Sequence, residues 1–155
     1  HRHYRELAES LSLEDYGAPP RIPRNRVILP IGGVHRGTLL ALRYAHMLSD
    51  DITAVHVSID PDEAERVHRK WETWGEGVRL VVLDSPYRLM LEPLIEYINE
   101  VAAHRQPNEM ITIIVPQFVP RRWWHNVLHT QTVLVLRWAL LFRRDIVITD
   151  VPYQV

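Results

Sequence analysis

The sequence predicts an α/β domain: a five-stranded parallel sheet with helices on both faces, preceded by a short N-terminal helix and a linker. Three observations predict it. Short β-branched runs without internal Pro or Gly alternate with stretches of helical periodicity, the pattern of consecutive βαβ units. The runs are close to continuously apolar, as strands covered on both faces are. Two helical stretches open on cap-and-proline pairs, Asp60-Pro61 and Ser85-Pro86.

Tyr4, Leu7, Ala8 and Leu11 recur at helical spacing, so residues 3–12 read as an amphipathic helix. Gly17-Ala18-Pro19-Pro20 and Pro23 then break regular structure. A basic stretch from Arg21 to Arg26 leads into the first strand, Val27-Ile28-Leu29, closed by Pro30. Residues 1–25 are therefore an arm and linker, and residues 26–155 the domain.

Thr38 to Leu48 forms the next helix, apolar nearly all round. A strand from Ile52 to Ile59 follows, then a helix striped by Ala64, Val67, Trp71 and Trp74 and capped by Asp60, with Glu63 placed to complete a capping box. Val78 to Leu83 is the third strand. Leu91, Leu94, Ile95, Ile98, Val101 and Ala102 stripe the helix after it. Met110 to Val115, a helix over Val133 to Phe142, and Asp145 to Thr149 complete the series.

Composition narrows the function classes. The 155 residues suit one domain with one core, and 46 % apolar with 24 % charged residues is globular, not disordered. A formal net charge of −1 argues against nucleic acid as a partner, so any anion site must be built locally. The absence of cysteine excludes disulfides and thiol chemistry. No stretch approaches eighteen consecutive apolar residues. The polar start His1-Arg2-His3, without an initiating Met, reads as the middle of a longer protein.

In such a sheet ligands bind beyond the carboxyl ends of the strands, where strand order reverses, and in a five-stranded sheet strands one and four flank that crevice. The loops after these strands are the least ordinary segments. The first runs Pro30-Ile31-Gly32-Gly33-Val34-His35-Arg36-Gly37-Thr38. Its glycines either admit a ligand close to backbone amides at a helix start, which favours phosphate, or merely satisfy turn angles. The loop lacks the end of a Walker motif and the dinucleotide spacing. The second, Pro116 to Thr132, sets Arg121 and Arg122 beside Trp123 and Trp124. Paired arginines offer forks for phosphate, and Trp124 suits core packing.

His125 and His129 stand four apart, but no carboxylate lies between them and no third ligand is apparent, so no metal is expected. His46 and His56 read as structural or exposed. Asp84 and Asp150 follow strands, with no nucleophile or second carboxylate to work with. The chain reads as a binding module and not an enzyme.

This order of strands and loops resembles universal stress protein domains, of HUP-like, Rossmann-like architecture. Their fingerprint after the fourth strand, Gly-x2-Gly-x9-Gly-Ser/Thr, cradles ATP. Here its glycine positions fall on Pro116, Val119 and His129, with Thr130 in the hydroxyl slot. Leu29, Pro30 and Ile31 stand where ATP-binding members carry an Asp. The departures have a likeness of their own. HYRELAESLSLED, RVILPIGGVHRGTLLALRYA, VPQFVPRRWWHNVLHTQT and LLFRRDIVITDVPY resemble the C-terminal domain of KimA-type potassium transporters, in the amino acid–polyamine–organocation superfamily.

The resemblance implies a homodimeric soluble domain at the cytoplasmic face of the cell membrane, attached to a transmembrane transporter. It implies cyclic di-AMP as a ligand that inhibits import of potassium with protons. Phosphate would meet the loop amides of Ile31, Gly32, Gly33, His35, Gly37 and Thr38, with Arg36, Arg121 and Arg122. Ile31 and Ile59 would flank an adenine beside Pro116. His125, Asn126, His129 or Thr130 would add polar contacts. ATP or AMP is the alternative ligand, related permeases leave an amino acid as alternative cargo, and a ligand-free dimerisation module is the third reading.

Overall fold

The computed structural model describes residues 24–85, 91–116 and 145–151. Five strands, β1 (Arg24–Pro30), β2 (Ile52–Ser58), β3 (Arg79–Asp84), β4 (Glu109–Pro116) and β5 (Ile146–Val151), form one sheet in the order β3-β2-β1-β4-β5. Every pairing is parallel. Three helices are described: α1 (Arg36–Leu48), α2 (Pro61–Trp74) and α3 (Leu91–Ala103). The expected doubly wound α/β sheet is the fold. Residues 1–23 of the arm and linker expected over 1–25, the helix over 133–142 and most of the second loop lie outside the described residues, while Arg24 and Asn25, expected in the linker, open β1.

Successive residues of a strand point to opposite faces, and the core divides accordingly. Val27, Leu29 and Ile31 pack with Ile52, Ala54 and Ile114 beneath α1 and α2. Ile28, Val55, Val57, Ile111 and Ile113 pack on the other face against Leu94, Ile98 and Ala102 of α3. This two-sided burial is why the central strands are mostly apolar, with His56 of β2 and Thr112 of β4 among the buried polar exceptions. The edge strand β3 alternates partly buried and exposed positions instead.

Each helix presents a different solution. In α1 the buried residues are Gly37, Thr38, Ala41, Leu42 and Ala45, so small side chains let the helix lie close to the sheet. Leu40 and Met47 point outward, the latter 78 % exposed; an all-round apolar sequence here does not mean all-round burial. In α2 Asp60 is the N-cap, as its position before Pro61 predicts, but its carboxylate accepts from the amide of Asp62 at 3.0 Å and not at the position of Glu63. Trp71 enters the core, while Trp74 is 55 % exposed and leaves the expected stripe.

Trp71 also fixes the exit from α2. Its Nε1 donates to the carbonyl of Val78 at 2.7 Å, and the amide of Gly75 donates to the Trp71 carbonyl at 2.7 Å. A Cβ on Gly75 would stand 2.5 Å from Trp71 Nε1, so only glycine fits under the ring. Glu76 and Gly77 follow with φ of 55° and 77°, two left-handed residues that turn the chain into β3.

Candidate functional site

β1 lies between β2 and β4, and the chain runs outward from it in both directions. The topological switch point is therefore the crevice between β1 and β4, as the strand count predicts. The backbone of β1 stays in the ladder to Ile31, whose amide donates to Val55 O at 2.8 Å. The loop after it and the exit of β4 at Pro116 leave the sheet from neighbouring strands. On the other side of β1, Ile59 follows the tip of β2 and is exposed.

Residues 31–35 form a short loop held by its own side chains. His35 is the N-cap of α1. Its Nδ1 accepts from the Thr38 amide at 3.4 Å, and its own amide donates to Thr38 Oγ1 at 3.5 Å. Thr38, only 1 % exposed, donates through the same hydroxyl to Gly33 O at 2.7 Å. His35 and Thr38 thus brace the loop, a capping box written as His-x-x-Thr. Ile31 and Gly37 are buried, Gly33 and His35 partly so, and Gly32 and Arg36 are exposed.

The glycines are not there for backbone angles. Gly77 is the described glycine with positive φ, so Gly32, Gly33 and Gly37 all adopt conformations open to other residues. A Cβ on Gly33 would meet nothing closer than His35 Cδ2 at 3.9 Å. What a side chain there would obstruct is space above the loop, not the fold. The first turn of α1 carries no acid and opens on Arg36, whereas α2 opens on Asp62 and Glu63. Its positive end is thus left uncompensated and favours an anion.

His35 makes the cap pH-dependent. Burial, and then the charge of Lys70, pull its pKa below 6.5. Since Nδ1 must be unprotonated to accept from Thr38, the folded state prefers the neutral ring. This stabilisation is complete above pH 6.5 and is lost as pH falls through the lower folded value. Thermal unfolding of the native chain is expected to lose more stability between pH 7 and 5 than that of His35→Asn, whose amide oxygen caps at any pH. Parallel pH profiles would remove the cap from the account.

One residue that sequence reasoning set aside belongs beside this loop. His56 of β2 is 1 % exposed, and its Nδ1 lies 2.9 Å from the carbonyl of Ile31. A carbonyl only accepts, so Nδ1 carries the proton. The other nitrogen, Nε2, is buried and has no hydrogen-bond partner among the described residues. The signal was a histidine inside an apolar strand, in phase with the inward-facing Ile52 and Ala54.

Arg121, Arg122, His125, Asn126, His129 and Thr130 lie outside the described residues, as do Val119 and both tryptophans of that loop. Asp84 and Asp150 prove to be strand residues, Asp150 standing opposite Val115 in the β4–β5 ladder. His46 pairs with Glu76 at 3.1 Å near the other end of the sheet. Among the described residues no three His, Cys, Asp or Glu groups converge as metal ligands, and no helix is long and apolar enough to cross a membrane.

Residues 23–153 match the family described as the KimA potassium transporter C-terminal domain. Over 153 residues the chain is 34 % identical to "Potassium transporter KimA" of Bacillus subtilis (strain 168), covering 98 % of this chain and 25 % of that protein. The chain spans about a quarter of the length of the curated relative it matches.

Proposed function

The chain belongs to the family of KimA potassium transporter C-terminal domains, and from that premise we propose that it is the regulatory domain of a potassium transporter. In this reading it sits at the cytoplasmic face of the membrane and binds cyclic di-AMP between two copies of itself. Ligand binding inhibits import through the attached transmembrane part. The observation that carries the reading is the family match over almost the whole domain. Kinship with a transporter domain also favours a binding module over an enzyme.

Local chemistry supports the place of binding. The switch-point crevice opens on a loop whose glycines answer no angular demand, at a helix start without acidic compensation. Cyclic di-AMP has two phosphates and two adenines related by a two-fold axis, which two identical subunits match half for half. Inhibition then requires only that the ligand bind one arrangement of the two domains better than another, a coupling of about 1–3 kcal/mol.

Isothermal titration of the 155-residue chain with cyclic di-AMP, with ATP as comparison, tests this. Micromolar or tighter binding at one dinucleotide per two chains, with ATP weak, is the expected result. Tight ATP without dinucleotide would make the chain an ordinary nucleotide-binding stress-protein domain, and silence from both would leave a dimerisation module. In the same titration Gly33→Val is expected to weaken cyclic di-AMP at least about tenfold by blocking close backbone approach. Its circular dichroism and melting should stay native, given the open space around that Cβ. Unchanged affinity would move the site off this loop.

A further inference from the structure

The group the fold leaves unexplained is Nε2 of His56. Buried polar atoms nearly always have partners, and leaving one without any is destabilising. A purely structural pin for the Ile31 carbonyl needs one donor and no second polar atom. Histidine brings one, in a side chain that is 1 % exposed.

The hydrogen bond to Ile31 O decides the character of that atom. With the proton on Nδ1, the neutral ring presents Nε2 as a bare acceptor. What would satisfy it is an N–H or O–H donor, not another carbonyl or a phosphate oxygen. The ring is tethered to the first residue of the glycine loop, on the sheet face that α1 and α2 cover. It lies on β2, whose tip leads directly to the exposed Ile59. With phosphate at the start of α1, as the nucleotide reading has it, a base on the β2 side of the loop would lie beside Ile59 and the strand that carries His56.

We propose that His56 is a specificity-determining residue of this site, its Nε2 accepting a hydrogen bond from the exocyclic amine of a bound adenine. The inference rests on the nucleotide-binding reading above. Adenine offers a donor at that position, whereas guanine offers a carbonyl oxygen, which would set lone pair against lone pair. Reaching Nε2 requires a small shift of the loop, which Gly32 and Gly33 permit. The bound base then supplies the missing partner, and the tether to Ile31 transmits its presence to the loop.

The test titrates the 155-residue chain and its His56→Leu variant with cyclic di-AMP and cyclic di-GMP. In parallel, imidazole nitrogens of the native chain are followed by ¹⁵N NMR. The native chain is expected to prefer the adenine dinucleotide, and His56→Leu to bind it roughly tenfold or more weakly, with the guanine dinucleotide little changed. The native spectrum should show protonated Nδ1 and bare Nε2, with the Nε2 resonance shifting at saturation. A folded variant with unchanged affinity and discrimination, or an Nε2 resonance unmoved by saturating ligand, would overturn the role. Where the variant fails to fold, the native spectrum decides. A native chain that binds neither dinucleotide overturns the nucleotide reading and this inference together; binding with Nε2 unmoved overturns this inference alone.

Discussion

Trp71→Ala is expected to destabilise the domain by about 3–5 kcal/mol while leaving ligand affinity unchanged. The side chain is 5 % exposed and packs with Val67, Ile52 and Ala54 in the core beneath α1 and α2. Removing it opens a cavity that rigid neighbours fill only in part. It also deprives the Val78 carbonyl of a 2.7 Å hydrogen bond, and the turn through Glu76 and Gly77 loses the ring it is built around. For a chain of this size such a loss corresponds to a drop of roughly 10 °C in melting temperature. Trp71→Phe keeps one aromatic ring in the core but loses the N–H and part of the indole's volume, so it should cost less than the Ala variant, about 1–3 kcal/mol. Circular dichroism through a urea titration measures both. The turn lies at the end of the sheet opposite the candidate site, which is why binding should survive wherever the variant is folded. A loss below about 1 kcal/mol for Trp71→Ala would mean that the core relaxes around it.

Strand positions were legible because β1, β2 and β4 are buried on both faces and so carry runs that are mostly apolar and β-branched. Helix periodicity was legible for the same reason in α3, where Leu94, Ile98 and Ala102 lie on one line. Trp74 shares the spacing of the stripe yet is exposed, because periodicity tells which residues share a helix face and not where the underlying sheet ends. It sits in the last turn of α2 and projects past the core. The His35–Thr38 cap was missed because the usual signature has Ser or Thr first and Glu or Gln third; here an imidazole plays the acceptor. His56, expected to be structural or exposed, is structural, buried with its Nδ1 on the Ile31 carbonyl. Its burial depends on β2 having β1 on one side, β3 on the other and two helices above, which no local window contains.

The two halves of the site differ in kind. The loop after β1 is a braced structure, with Thr38 holding Gly33 and His56 holding Ile31. The amides of Ile31, His35 and Thr38, expected to meet phosphate, already donate to Val55 O, Thr38 Oγ1 and His35 Nδ1, which leaves Gly32, Gly33 and Gly37 as the loop amides for a phosphate. Amides carry only partial charge, however, and a dianionic dinucleotide leaving water requires full charges near it. The bulk of the protein, at a formal net charge of −1, does not supply them. Arg36, exposed at the start of α1, offers one such charge per subunit, and in the proposed reading Arg121 and Arg122 add the others.

Replacing Arg121 and Arg122 together with Ala is therefore expected to weaken cyclic di-AMP binding by at least about 100-fold. Hydrogen bonds to charged groups contribute about 1.5–3 kcal/mol each, and the proposed site sets two arginines per subunit against a ligand with two phosphates. The pair follows β4 in the sequence, and β4 is the neighbour of β1 in the sheet. The double Lys variant separates charge from shape. It keeps both positive charges and loses the planar fork, so its affinity should fall between the native chain and the Ala variant. Native binding should also weaken as salt rises, and the Ala variant should show a shallower dependence. Titration calorimetry gives the affinities, and circular dichroism checks the fold. A double Ala variant that unfolds would assign the arginines to structure, and one that binds as tightly as the native chain would place the phosphates elsewhere. If affinity collapses while the melting curve without ligand stays native, the loop after β4 supplies charge and the loop after β1 supplies shape. Inhibition would then depend on both loops closing on one ligand across two subunits.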